Sequence, residues 1–172
     1  MEGRQLFEKC IPIVILSEKG YSNDPDDPGG ATLNGITQIT YDNWRKRKGL
    51  PVRPVINMTP EEQDAIYYEN YWLPMNLTGI KNEGLILQLF DMGVNAGIRT
   101  AIKLIQGVVE AKKDGILGPQ TTMLINQYDK SVSLIEIYKH ERKKHYLCLT
   151  LKNPKLKKFL RGWINRVNNT KF

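Results

Sequence analysis

The chain has 172 residues, 41% hydrophobic and 25% charged, the composition of a soluble globular protein long enough to bury a core without disulfide or metal staples. Its net charge of +7 is uneven: residues 139–172 hold eleven of the 25 Lys and Arg but one of the 18 acids, so this end calls for an anionic partner such as nucleic acid, anionic lipid or a cell wall. No apolar run approaches the roughly 20 residues of a membrane span, and the run at 11–16 is too short for a signal-peptide core.

The predicted elements are mainly helical. Over residues 4–17, Leu6, Phe7, Cys10, Val14 and Ser17 recur at helical spacing, with Pro12 as a kink. Residues 20–35 are too rich in Asn, Asp, Pro and Gly for a helix and suit an irregular loop or small hairpin, with at most a short strand pair over 32–37. At Thr59-Pro60-Glu61-Glu62 a helix starts: Thr59 caps, Pro60 fits the first position and Glu62 closes a capping box, with an end expected near residue 71. Leu85, Ile86, Leu89, Phe90 and Val94 form one apolar stripe, a core helix ending near Gly97, which suits a left-handed cap. Further helices are expected over 100–109, from Gly118-Pro119 to about 128, from a capping box of Ser133 with Glu136 to about 149, and from Asn153-Pro154 onward. The last carries Phe159, Leu160, Trp163 and Val167 on one face. Cys10 and Cys148 sit among apolar neighbours and are expected as buried free thiols. The sum is a mainly α fold with a small β or loop element around residues 20–37.

The stretch that carries chemistry runs over residues 18–37. Glu18 sits at the C-terminal end of an apolar helix, held by the core yet facing whatever the next loop encloses. Partial burial disfavours a charged carboxyl, so Glu18 is expected to keep a proton it can donate. Asp24, Asp26 and Asp27 lie on a polar loop, where ionisation is easier. A protonated acid facing an ionised carboxylate is what glycosidic cleavage needs: one protonates the leaving oxygen, the other activates water or stabilises the oxocarbenium-like state. Gly29 and Gly30 allow a tight turn or a close approach of backbone to a sugar, and Thr32 is a polar group able to hold water.

These residues resemble the signature of glycoside hydrolase family 108, in which Glu-Gly-Gly-Tyr precedes Asp-Pro-Gly-Gly-x-Thr and then Gly-Ile-Thr. Here the positions are Glu18, Lys19, Gly20 and Tyr21, then Asp27, Pro28, Gly29, Gly30 and Thr32, then Gly35, Ile36 and Thr37. The likeness continues through Ala65-Ile66-Tyr67 and Tyr71-Trp72. It implies a lysozyme-like N-acetylmuramidase with no cofactor, whose catalytic glutamate falls on Glu18. Some members of the family are labelled secretion activators. By a similar likeness to inverting phage lysozymes, Asp27 is the candidate base and Thr32 the water-holder, with Asp24 and Asp26 as alternatives. Tyr21, Asp24, Asp26, Gly30, Tyr71 and Trp72 are the candidate substrate contacts. Lys19 departs from the signature, standing where the family has glycine.

A second likeness covers the other half. Leu89 onward (LFDMGVNAG) and Asp114-Gly115-Ile116-Leu117-Gly118-Pro119-Gln120-Thr121 resemble the predicted peptidoglycan-binding domain commonly fused to this family, and residues 159–167 resemble its final helix. The expectation is therefore a catalytic half over 1–84 and a peptidoglycan-binding half over 85–172, packed as one monomeric body. Peptidoglycan is the expected partner. The protein would be made in the cytoplasm and act on the periplasmic or extracellular wall, reaching it by a holin-type pore or dedicated export.

Other signals are weaker. His140-Glu141 with His145 has the wrong spacing for zinc, because residues five apart do not share a helix face. The acidic loop lacks the alternation of a calcium loop. Trp44 beside the basic run 45–48 suits a groove for an anionic glycan. No nucleic-acid-reading motif accompanies the basic C-terminal helices. A wall-binding or secretion-accessory protein without turnover is the main alternative to an enzyme.

Overall fold

A computed structural model describes residues 2–18, 20–23, 30–129 and 133–172. The architecture is mainly α with one small sheet. Helix α1 (Glu2–Ile15) buries Phe7, Cys10, Ile11 and Val14 on one face, the i, i+3, i+4, i+7 pattern of a core-facing helix. The sheet has strands β1 (Tyr21–Ser22), β2 (Thr32–Leu33) and β3 (Ile36–Thr37), antiparallel in the order β1-β2-β3. Tyr21 opposes Leu33 and Ser22 opposes Thr32; Thr32 then opposes Thr37 and Leu33 opposes Ile36. Between β2 and β3, Asn34 (φ 46°) and Gly35 (φ 78°) both take positive φ, as the tight two-residue hairpin turn requires.

Helix α2 (Gln38–Arg47) was not expected from residue pattern. It is capped by the Thr37 hydroxyl, which accepts from the Thr40 amide, and it buries Tyr41, Trp44 and Arg45. Too few of its residues are apolar to leave a stripe. Helix α3 (Pro60–Tyr67) starts at Thr59 with the expected capping box. It then continues beyond the expected end, through a π-helical turn (Tyr68–Trp72) into a short α4 (Leu73–Met75). The wide turn lets the Leu73 amide bond back to the Tyr68 carbonyl, just before Pro74, which has no amide to give.

Helix α5 (Glu83–Ala96) is central: residues 85–93 are all buried, Gln88 and Asp91 among them. It packs on α1, on α6 (Ile98–Val108) and on α8 (Leu134–Lys152). Gly97 joins α5 to α6 with φ 91° and ψ 144°, positive but extended rather than left-handed helical. Helix α7 (Pro119–Asn126) has proline at its first turn as expected. The capping box expected at Ser133 does not form; Glu136 instead accepts from Lys139. A 3-10 turn (Pro154–Leu156) leads into the last helix, α9 (Lys157–Asn169), which packs on α8.

The two cysteines are free, but only Cys10 is buried. Burial pushes its thiol up to about 12. Cys148 is exposed because it lies two residues, about 200° of helix, beyond Tyr146, which points inward.

Candidate active site

Glu18 owes its position to α1. Past the helix end the chain tightens: the Ser17 amide donates to the Val14 carbonyl at 3.1 Å and the Glu18 amide to that of Ile15 at 2.8 Å. The Glu18 side chain is 18% exposed, held by the core helix yet open on one side. Its Oε1 accepts from Nη1 of Arg166 on α9. Its Oε2 lies against the β2–β3 turn, where a Cβ added at Gly35 would stand 2.8 Å from Oε2 and 2.8 Å from the Tyr67 hydroxyl. Glycine is therefore required at 35 twice over, by the turn and by the carboxyl beside it. The turn is fastened to α3: the Tyr67 hydroxyl donates to the Asn34 carbonyl (2.6 Å) and the Asn34 side-chain Nδ2 to Gln63 Oε1 (2.7 Å). Burial, and next the charge of Glu18, push the Tyr67 and Tyr71 hydroxyls up from their usual range, so both tyrosines share the field of this carboxylate.

Behind Glu18 runs a buried chain of alternating charge. Arg166 Nε donates to Asp91 Oδ1 on α5 at 2.8 Å. Asp91, fully buried, also accepts from Arg142 on α8 and from the Thr170 hydroxyl (3.2 Å), and Arg142 donates onward to Gln88. Burial works against the charge of Arg166, but Asp91 and Glu18 outweigh it and its pKa is raised. Removing Asp91 would leave the buried Arg142 without its counter-charge. On the α9 side of Glu18 opens a groove of about 620 Å³, bounded by the end of α1, by Asn95 of α5 and by the face of α9 that carries Lys158, Trp163 and Arg166. That volume is of the order that small-ligand sites enclose.

Residues 11–97 match the family described as Glycosyl hydrolase 108. The chain belongs to glycosyl hydrolase family 108. Residues 100–168 match the Predicted Peptidoglycan domain. Together the two matches give this family-108 chain a peptidoglycan hydrolase and binding role. Among solved structures it is similar to SagA of Brucella abortus, with a TM-score of 0.77 and 29% identity over 97% of this chain and 92% of that one. No curated protein matches the chain. The family-108 match takes in α5, which the residue pattern groups with the C-terminal half, and the break between the matches falls next to Gly97.

The remaining sequence-expected site residues of this family-108 chain fall into three groups. Tyr71 stands close enough to Glu18 to feel its charge, and Thr32 lies on the hairpin whose turn touches Glu18. The Thr32 hydroxyl donates to the Gly30 carbonyl at 3.1 Å, and Tyr21 is 46% exposed on the edge strand β1. Trp72 is a correction: it is 2% exposed and packed edge-to-face against Phe7 and Phe90, a core anchor that cannot floor a sugar groove. Of the basic run after Trp44, only Arg45 is buried, while Lys46, Arg47 and Lys48 are exposed beside α3 and the π turn. Trp44 and Lys48 both donate to Glu69, Arg45 to Glu62, and Arg47 to Asn70. Asp24, Asp26, Asp27 and Lys19 lie outside the described residues. Two residues that motif reasoning passed over, Asp91 and Arg166, hold Glu18 in place. The signal for Asp91 was a lone acid inside the apolar run at 85–94, which must be buried and paired.

Proposed function

We propose that this chain is an N-acetylmuramidase, cleaving the β-1,4 bond after N-acetylmuramic acid with Glu18 as general acid. The observation that carries the reading is the seat of Glu18: largely buried at a helix end and at the lip of a groove. Oε2, which Arg166 does not engage, is the oxygen that carries the proton to the leaving glycosidic oxygen. The base comes from the 24–27 segment, with Asp27 first by family likeness and Asp24 and Asp26 as alternatives. Asp91 cannot serve, because it is sealed behind Arg166 where no water reaches it. Thr32, its proton given to the Gly30 carbonyl, has lone pairs free to accept from the attacking water. Tyr21 and Tyr71 contact the glycan. Two carboxyl groups and water complete the reaction, so no cofactor enters. The protein meets this substrate in the periplasmic or extracellular wall.

The test is release of new reducing ends from purified peptidoglycan. Wild type is expected to release them and Glu18→Gln to fall about 10²–10⁴-fold, the usual contribution of a general acid. Undiminished release by Glu18→Gln would defeat the assignment. A second reading, a wall-binding or secretion-accessory protein without turnover, is favoured by the ion pair that occupies Glu18 Oε1. Sedimentation with insoluble peptidoglycan and no release at all by wild type would select it.

A further inference from the structure

The groove beside Glu18 is walled on one side by α9, and that wall is built unlike an ordinary helix surface. Phe159 is 47% exposed at the groove, and Lys158 Nζ sits 4.9 Å from the centre of its ring. Trp163 is half-buried and stacked on Tyr146, with ring centres 5.0 Å apart and planes 20° from parallel. Tyr146 is itself buried and donates its hydroxyl to Asn95 at 2.6 Å, so the indole is a braced plate and Asn95 is fixed at the groove edge. The Phe159 and Trp163 rings meet at 5.9 Å between centres, and Gly162 lines the groove beside them. Glycine is a poor residue for a helix interior. Here it has no packing excuse, because an added Cβ would meet nothing within 4 Å. The protein's own fold does not need that space, and the space opens into the groove.

We propose that this face of α9 is a binding subsite for an N-acetylated pyranose that bears a carboxylate, the unit that continues the glycan strand away from the Glu18 bond. The reading deepens the muramidase assignment and rests on it for the direction of the strand. Phe159 and Trp163 supply flat apolar surfaces for the sugar ring, and the missing side chain at 162 gives the ring its depth. Asn95, Asn165 and Asn169 line the groove with amide groups suited to hydroxyl and N-acetyl oxygens. Lys158 supplies the counter-charge for the lactyl or stem-peptide carboxylate, and the basic character of the C-terminal segment favours an anionic strand over a neutral one. The half of the chain that matches a peptidoglycan domain thereby contributes one wall of the same cleft.

The experiment measures binding of a muramyl-peptide tetrasaccharide, and of a chito-oligosaccharide of equal length, to the full chain carrying Glu18→Gln, beside hydrolysis by wild type. Trp163 lines the groove and the buried Trp44 and Trp72 do not, so the change in tryptophan fluorescence on adding ligand reports chiefly on Trp163. The acidic fragment is expected to bind roughly tenfold tighter than the neutral one, and Lys158→Glu to erase that difference. Phe159→Ala and Gly162→Leu are expected to weaken both ligands by roughly tenfold. Gly162→Leu should at the same time leave the melting temperature unchanged or raised, which a merely structural glycine would not do. Variants that bind like the Glu18→Gln parent overturn the subsite, as does a DNA duplex that binds tighter than the fragments. Binding lost in the variants while wild type releases no reducing ends upholds the subsite and removes the hydrolase; release by wild type with binding intact in the variants does the reverse.

Discussion

Gly35 shows how little room surrounds the candidate acid. A methyl group there would contact both the Glu18 carboxyl and the Tyr67 hydroxyl at 2.8 Å, on a backbone with φ of 78° that L-residues rarely adopt. Gly35→Ala is expected to cost about 1–2 kcal/mol from the left-handed backbone alone. In a chain of this size that is a fall of several degrees in melting temperature, at roughly 2–4 °C per kcal/mol. The more telling result is functional: the folded variant should hydrolyse poorly because the carboxyl is displaced, whereas a glycine needed only for its turn would spare the rate of what remains folded. Tyr67→Phe probes the same contact from the other side. It leaves the half-buried Asn34 carbonyl without the donor that fastens the hairpin, at about 0.5–1.5 kcal/mol for the lost hydrogen bond, which a denaturant melt would read.

At the level of elements, Glu62 is the joint between α2 and α3. It accepts from Tyr41, Arg45 and Arg53 and closes the cap at Thr59. Burial alone would raise its pKa, but the Tyr41 hydroxyl, the Thr59 amide and Arg53 prevail and hold it below 4.5. A carboxyl whose folded pKa is depressed stabilises the fold fully above its ordinary value and loses that contribution as pH falls through the folded one. Glu62→Gln is therefore expected to lower the melting temperature at neutral pH and to flatten its decline below pH 4.5. The same elements show what residue pattern can and cannot reveal. The α3 start was legible because Thr59, Pro60 and Glu62 act within four residues, and α5 because its apolar stripe is unbroken. Helix α2 left little trace, since it is fixed mainly by Tyr41, Trp44 and polar bonds to distant residues; the Asn34-Gly35 pair before it was the available hairpin signal. Glu18 was legible through its motif. Its partner Arg166 was not, because 148 positions separate them and nothing local records the contact.

Across the whole molecule, Asp91 is the centre on which α5, α8 and α9 converge through Arg142, Arg166 and Thr170. Asp91→Asn would leave the buried Arg142 without a counter-charge and Arg166 with Glu18 alone, and an expected loss of about 3–5 kcal/mol follows. That is a large share of the roughly 5–15 kcal/mol that holds a typical domain folded. Thermal unfolding should show it as a lowered, still cooperative transition, and any enzyme that remains folded should be slowed because Arg166 has lost its anchor. The bond between Arg166 and Glu18 also has an evolutionary consequence. Catalytic and wall-binding modules are often treated as beads that recombination can reassort, but here the first module's carboxyl is held by an arginine from the second. A chimaera joining residues 1–97 to a foreign C-terminal module would inherit the motif without its clasp, unless the newcomer carried a guanidinium to the same spot. The two segments must therefore change in concert, and grafts that ignore position 166 should yield folded but sluggish hybrids.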